Sequence, residues 1–181
     1  MQTEKIFNGR VFQVEVQTVE LQDGKSAKRE IIRHNGGACV VALDESRQVY
    51  LVRQFRKPYD MELLEIPAGK LEPGEDPAEC AGRELTEETG LRAEHLEWLA
   101  TIYPTPGYCN EILTIYLATG LTQGEAKPDD GEHLICQAYP LAKVLAMIDR
   151  GEIRDAKTLI ALLTISRRLE QKDRINEGTC L

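Results

Sequence analysis

Residues 69–91 read GKLEPGEDPAECAGRELTEETGL, and this segment constrains the chain more than any other. It sets Gly69, Glu75, Arg83, Glu84, Leu85, Glu87, Glu88, Gly90 and Leu91 in the pattern G-x5-E-x7-R-E-U-x-E-E-x-G-U, where U is a bulky aliphatic. Pro73-Gly74 marks a turn. Asp76 precedes Pro77, and Glu79 follows in the first turn. That is a helix start: a carboxylate to cap the first N–H groups, a residue with no N–H to lose, and negative charge at the positive end. Gly90, free to turn left-handed, supplies the stop. The spacing predicts a helix over 77–89.

At 100° per residue, Glu84, Glu87 and Glu88 fall within roughly 100° of arc. Ala78, Ala81, Leu85 and Thr89 form the neighbouring stripe that packs on a core, and Gly82 beside it permits close approach. Like charges at i, i+4 cost about 0.2–0.5 kcal/mol per pair, and a bound divalent cation would reverse that sign. All-oxygen ligands suit Mg²⁺ or Mn²⁺ rather than Zn²⁺. Most Glu-rich helices are only solvated faces. Here, however, seven fixed identities at roughly 7% frequency coincide with probability on the order of 10⁻⁸ per start. The chain offers fewer than 181 starts, so chance is negligible.

A length of 181 residues suffices for one well-buried domain or a domain with a small extension. No apolar run reaches membrane-spanning length, and MQTEKIFNGR lacks a signal-peptide core. Cys39, Cys80, Cys109, Cys136 and Cys180 are odd in number and scattered, with no C-x-x-C. That argues against a disulfide framework or zinc site and for a reducing cytoplasm. The net charge of −8 argues against non-specific nucleic-acid binding. A phosphate substrate stays compatible with it, because bound cations would dominate the local field. Neither a nucleophile elbow nor a Walker loop is found.

Residues 4–34 read as a β-meander: VFQVEVQTVEL (11–21) alternates, Asp23-Gly24 signals a hairpin, and KREIIRH (28–34) returns. ACVVALD (38–44) and QVYLVRQF (48–55) are apolar enough for central strands. ELLEIPA (62–68) reads as one short strand feeding the acidic loop, and 96–103, 111–119 and 134–140 as further strands. Residues 120–132 read as a polar loop, and helices are expected over 141–151 and from Asp155 to about Gln171. The expected class is α+β or mixed α/β, with helices on the faces of a sheet. Residues 1–36 form an N-terminal antiparallel β extension and residues 37–181 the main domain.

The 69–91 segment is similar, with no substitution, to the signature of the Nudix hydrolases. The likeness continues in Tyr103-Pro104-Thr105-Pro106-Gly107, with Pro106 fifteen residues after Leu91 and Glu111 beyond it. KREIIRH, LVRQFR, LLEIPAGKLEPGE and GEIRDAKT also resemble the ADP-ribose pyrophosphatase subgroup, over about residues 4–170. GDP-mannose pyrophosphatases share several of these, including GEIRD at 151–155. The resemblance implies an α/β/α Nudix sandwich and a homodimer formed through the N-terminal extension. It implies Mg²⁺-dependent hydrolysis of ADP-ribose, a small nucleoside diphosphate, to AMP and ribose 5-phosphate, with Mn²⁺ as a substitute. The alternatives are a GDP-mannose or other nucleotide-sugar pyrophosphatase, and a catalytically silent ADP-ribose-binding module.

By position, the resemblance assigns metal binding to Glu84, Glu88 and the carbonyl of Ala68. Glu87 becomes an additional ligand or support, and Glu75 and Arg83 orient the carboxylates. The general base comes from the acidic loop 128–133, with Glu132 first, Asp130 second and His133 structural. Arg56 grips a phosphate, with Arg53 on the opposite strand face. Glu111, with Gly107 behind it, approaches the terminal ribose. Arg29 and Phe12 contact adenine at the dimer interface.

Overall fold

A computed structural model describes residues 2–126, 134–176 and 178. Strand β4 (Gly37–Leu43) organises it, because every one of its residues is buried. Successive side chains of a strand point to opposite faces, so this one apolar run supplies two cores. Ala38, Val40 and Ala42 pack with Cys80, Ala81 and Leu85 of helix α1 (Pro77–Thr89). Cys39, Val41 and Leu43 belong to the opposite cluster, with Leu141 and Val144 of α2 (Leu141–Asp149) and Ala161, Leu162 and Ile165 of α3 (Ala156–Asn176). The result is an α/β/α sandwich, as expected.

The main sheet runs β10 (Ile135–Pro140), β5 (Gln48–Arg56), β4, β9 (Leu113–Gln123), β8 (Leu91–Ile102). Strands β4 and β9 are parallel and the other pairs antiparallel. Strands β4 and β5 pair only at Ala42↔Tyr50 and Leu43↔Val49 and then diverge. Into the divergence come β6 (Met61–Glu65), paired with the far half of β5, and β7 (Ala68–Lys70), paired with the start of β4. The expected single strand over 62–68 is thus two strands that serve different partners. Pro67 has no N–H for a ladder, while its carbonyl accepts Val40 N–H at 2.9 Å. Ile66 N–H turns to Thr158 Oγ1 on α3, at 2.9 Å.

Helix α1 starts and stops where the sequence places it. The Asp76 side chain accepts Ala78 N–H at 2.8 Å, and Gly90 takes φ 74°. A Cβ at Gly90 would lie 2.8 Å from Ala126 N and Gly124 O, so a side chain there meets backbone as well as strain. Strand β9 runs on to Gln123, into the expected polar loop, because Leu121, Thr122 and Gln123 find partners at the start of β8. Helix α3 runs on to Asn176, five residues past its expected end.

Strands β1 (Gln2–Asn8), β2 (Phe12–Glu20) and β3 (Ser26–His34) form a separate antiparallel sheet. It is tied to the loop before β9 by Ile32 N–H to Tyr108 O at 2.7 Å and Asn110 N–H to Ile32 O at 3.1 Å. No helix among the described residues is long and apolar enough to cross a membrane.

Candidate active site

Arg83 is the hub of the acidic segment. Its Nε donates to Glu75 Oε1 at 2.9 Å and its Nη2 to Glu75 Oε2 at 3.1 Å. Its Nη1 donates to Glu84 Oε1 at 2.7 Å and Glu87 Oε2 at 2.9 Å. One planar cation thus binds three of the four carboxylates, a geometry that suits Arg and not Lys. The Arg83 hydrogen bond, aided by Glu72 N–H, draws the Glu75 carboxyl down to about 2, and the same carboxylates raise the Arg83 guanidinium.

The fourth carboxylate, Glu88, is buried, and its Oε2 accepts Ala68 N–H at 3.2 Å. The carboxylate of Glu84 lies against Gly69, where any Cβ would overlap it. Ala68 and Gly69 are therefore where the acidic helix meets strand β7, and a side chain at Gly69 would displace the Glu84 carboxylate.

Ala68 and Gly69 also line a cleft of about 360 Å³, with Arg56, Glu111, Asp155 and Lys157 among its walls. Arg56 is bound through Nε and Nη2 to Glu65, at 2.7 and 2.8 Å. The other Glu65 partner is Lys157 Nζ, which also reaches Asp155 Oδ1 at 3.0 Å. Burial raises the Glu65 carboxyl, but Arg56 and Lys157 outweigh it and the net direction is down. Burial likewise lowers the Lys157 amine, and Asp155 and Glu65 return it above its ordinary value. Both shifts favour the charged forms of Glu65 and Lys157, and Glu65 likewise raises the Arg56 guanidinium.

On the opposite wall Glu111 lies 3.5 Å from His34 Nδ1. That nitrogen accepts Gly36 N–H at 3.0 Å, which leaves Nε2 to carry the proton of a neutral ring. Gly107 sits in the turn that carries Tyr108 and Cys109 back to Thr105, and it does not line the cleft. Arg29 and Phe12 are exposed on the N-terminal sheet and do not line their own chain's cleft. Arg53 faces Glu62 at 4.0 Å. Glu132, Asp130 and His133 lie outside the described residues.

Among the described residues, no three carboxylate, imidazole or thiol groups converge as a ready-made metal cage. The donor set nonetheless suits a hard divalent cation. The Glu84 carboxylate lies against Gly69 and Glu88 accepts the Ala68 N–H, so two oxygen donors meet strand β7 at adjacent residues. Burial raises the thiols of Cys39 and Cys80 to about 12 and of Cys136 to about 11, which disfavours their thiolates.

The sequence reading assigned nothing to Glu65, Asp155 or Lys157. Their signal was a carboxylate inside the apolar run LLEIP, and an Asp and a Lys flanking the start of a helix in GEIRDAKT.

A model of the NUDIX domain family matches residues 33–162. The chain is 42% identical over 176 residues to the methanol dehydrogenase activator of Bacillus methanolicus, covering 95% of each. It is 41% identical over 161 residues to the ADP-ribose pyrophosphatase of Bacillus subtilis strain 168, covering 88% of this chain and 87% of that one. A crystal structure of an ADP compounds hydrolase superposes with a TM-score of 0.84 at 25% identity, over 96% of this chain and 95% of the other. The chain belongs to the NUDIX domain family and is a Nudix hydrolase.

The Arg83 cluster has a signature in acid. Because the folded state depresses Glu75, its stabilising contribution is full above the ordinary 4.5 and is lost as pH falls toward about 2. Unfolding free energy, measured by denaturant titration, should fall through that window in the wild type and more shallowly in Glu75→Gln. Parallel slopes for the two proteins would remove Glu75 from the account.

Proposed function

We propose that the protein hydrolyses the diphosphate bond of ADP-ribose to AMP and ribose 5-phosphate. The observation that carries this reading is the junction at Ala68 and Gly69, which joins the acidic helix to a cleft walled by Arg56, Lys157 and Glu111. The 41% identical ADP-ribose pyrophosphatase supports the choice of substrate. Glu84, Glu88 and the Ala68 carbonyl would hold Mg²⁺, with Mn²⁺ as a substitute. When bound, such a cation neutralises diphosphate oxygens and makes water more acidic.

The remaining work belongs to side chains. Arg83 holds Glu84 and Glu87 in place. Arg56 contacts a phosphate oxygen with the guanidinium N–H groups that Glu65 leaves unused. Glu111 accepts from a hydroxyl of the terminal ribose. Glu132, or Asp130 near it in the sequence, takes the proton from the attacking water.

The division into a 1–36 extension and a 37–181 catalytic domain belongs to the same reading. Ile6, Phe7, Val11 and Phe12 of the extension are exposed, and a second copy would cover them and bring Arg29 and Phe12 to adenine. Sedimentation equilibrium should give twice the chain mass of 20.3 kDa. A monomer at all working concentrations would remove the shared adenine site.

One rival reading lies outside hydrolysis as such. The 42% identity to a methanol dehydrogenase activator points to an effect on a dehydrogenase. Adding wild type and Glu88→Gln to a methanol dehydrogenase assay tests it, since a pure binding role would survive the substitution.

The main test is hydrolysis by the purified protein with Mg²⁺ of ADP-ribose, GDP-mannose and NADH, with products identified. ADP-ribose should give AMP and ribose 5-phosphate at the highest kcat/KM, and Glu88→Gln should lower turnover about a hundredfold or more. A folded, fully active Glu88→Gln protein would sink the metal assignment, and preference for GDP-mannose the substrate. Ligand binding without any turnover would indicate a silent module.

A further inference from the structure

We propose that Glu65 is a positioning residue that holds Arg56 and Lys157 side by side as a two-pronged cationic clamp for the substrate's diphosphate. The inference rests on the reading of the cleft as a diphosphate site.

Glu65 is 2% exposed and sits between Leu64 and Ile66, both core residues. A lone carboxylate there would be costly to desolvate. It receives two cations from two distant elements: Arg56 at the end of β5, through Nε and Nη2, and Lys157 at the start of α3. Asp155 completes the set from below. Its Oδ1 takes Lys157 Nζ at 3.0 Å, and its Oδ2 caps α3 through Thr158 N–H at 3.0 Å and Thr158 Oγ1 at 2.6 Å. Thr158 Oγ1 in turn accepts Ile66 N–H. The four charges are thereby fixed across three elements with no net charge.

Holding α3 against β6 does not by itself explain this arrangement. Well-packed apolar side chains of similar volume fasten two elements as well as or better than buried ion pairs. What an apolar contact cannot do is present donors. A guanidinium has five N–H groups and Glu65 takes two of them, leaving both on Nη1 among those unused. The Lys157 ammonium has three N–H groups, and Glu65 and Asp155 occupy two. Both residues line the cleft beside Ala68 and Gly69. A phosphate oxygen entering there meets two cations whose rotamers are already chosen, so little ordering cost remains on binding.

The test compares wild type, Glu65→Asp, Arg56→Met, Lys157→Met and the double variant Glu65→Asp/Arg56→Met on ADP-ribose at saturating Mg²⁺. Thermal unfolding is followed in parallel to confirm that each variant is folded. Glu65→Asp keeps the buried charge but withdraws the carboxylate by about 1.5 Å, too far to hold both cations. Its KM should rise about tenfold, the worth of one misdirected charge-assisted hydrogen bond, with kcat little changed. Lys157→Met should raise KM similarly. In the Arg56→Met background, Glu65→Asp should add much less than it costs alone, because Asp155 still holds Lys157 and the effect passes largely through Arg56. A folded Glu65→Asp enzyme with wild-type KM, or the full penalty in both backgrounds, would overturn the clamp and leave Glu65 a fold contact. If Arg56→Met itself leaves KM and kcat unchanged, the diphosphate reading of the cleft fails, and the clamp with it.

Discussion

Much of the site depends on one cation. Arg83 makes four hydrogen bonds to Glu75, Glu84 and Glu87, carboxylates that would otherwise repel one another. The bonds reach both backward, to the loop before the helix, and along it. The loop and the first turns of α1 therefore move as one piece, and Glu84 is held at Gly69. Removing the arginine would leave the same glutamates crowded at a half-buried surface, free to splay into solvent.

That piece is useful only because the sheet delivers strand β7 to it. Strands β4 and β5 pair at one end and separate at the other, and β6 and β7 fill the gap. Much of the cleft lies along this split: Glu65 at the end of β6, Ala68 and Gly69 on β7, Arg56 at the end of β5. Helix α3 closes the open side with Asp155 and Lys157. An acidic half, suited to cations, and a cationic half, suited to phosphate, meet at two residues of backbone. The overall charge of −8 is no obstacle to an anionic substrate when the local groups are sorted in this way.

The acidic half was legible in the sequence because it is local. The Asp76 cap, the Gly90 stop and the helical spacing of three glutamates all lie within 23 residues, and short-range geometry alone relates them. The cationic half was legible only at Arg56, through its family context. Its organiser, Glu65, is bound to a lysine 92 residues away, and no periodicity links the two. The same limit explains the misjudged elements. Residues 121–123 look like polar loop until the start of β8 supplies partners, and 62–68 looks like one strand until Pro67 divides it between β5 and β4. The proposed base, Glu132, rests on its position in the sequence and lies outside the described residues.

In the proposed reaction Glu84 and Glu88 would hold a divalent cation. The most direct test is Mn²⁺ binding to the purified protein, followed by electron paramagnetic resonance, for wild type and for Glu84→Gln/Glu88→Gln. The account predicts saturable binding by the wild type that weakens at least about tenfold in the double variant, while its circular dichroism spectrum stays unchanged. Equal Mn²⁺ affinity in the two proteins would contradict it.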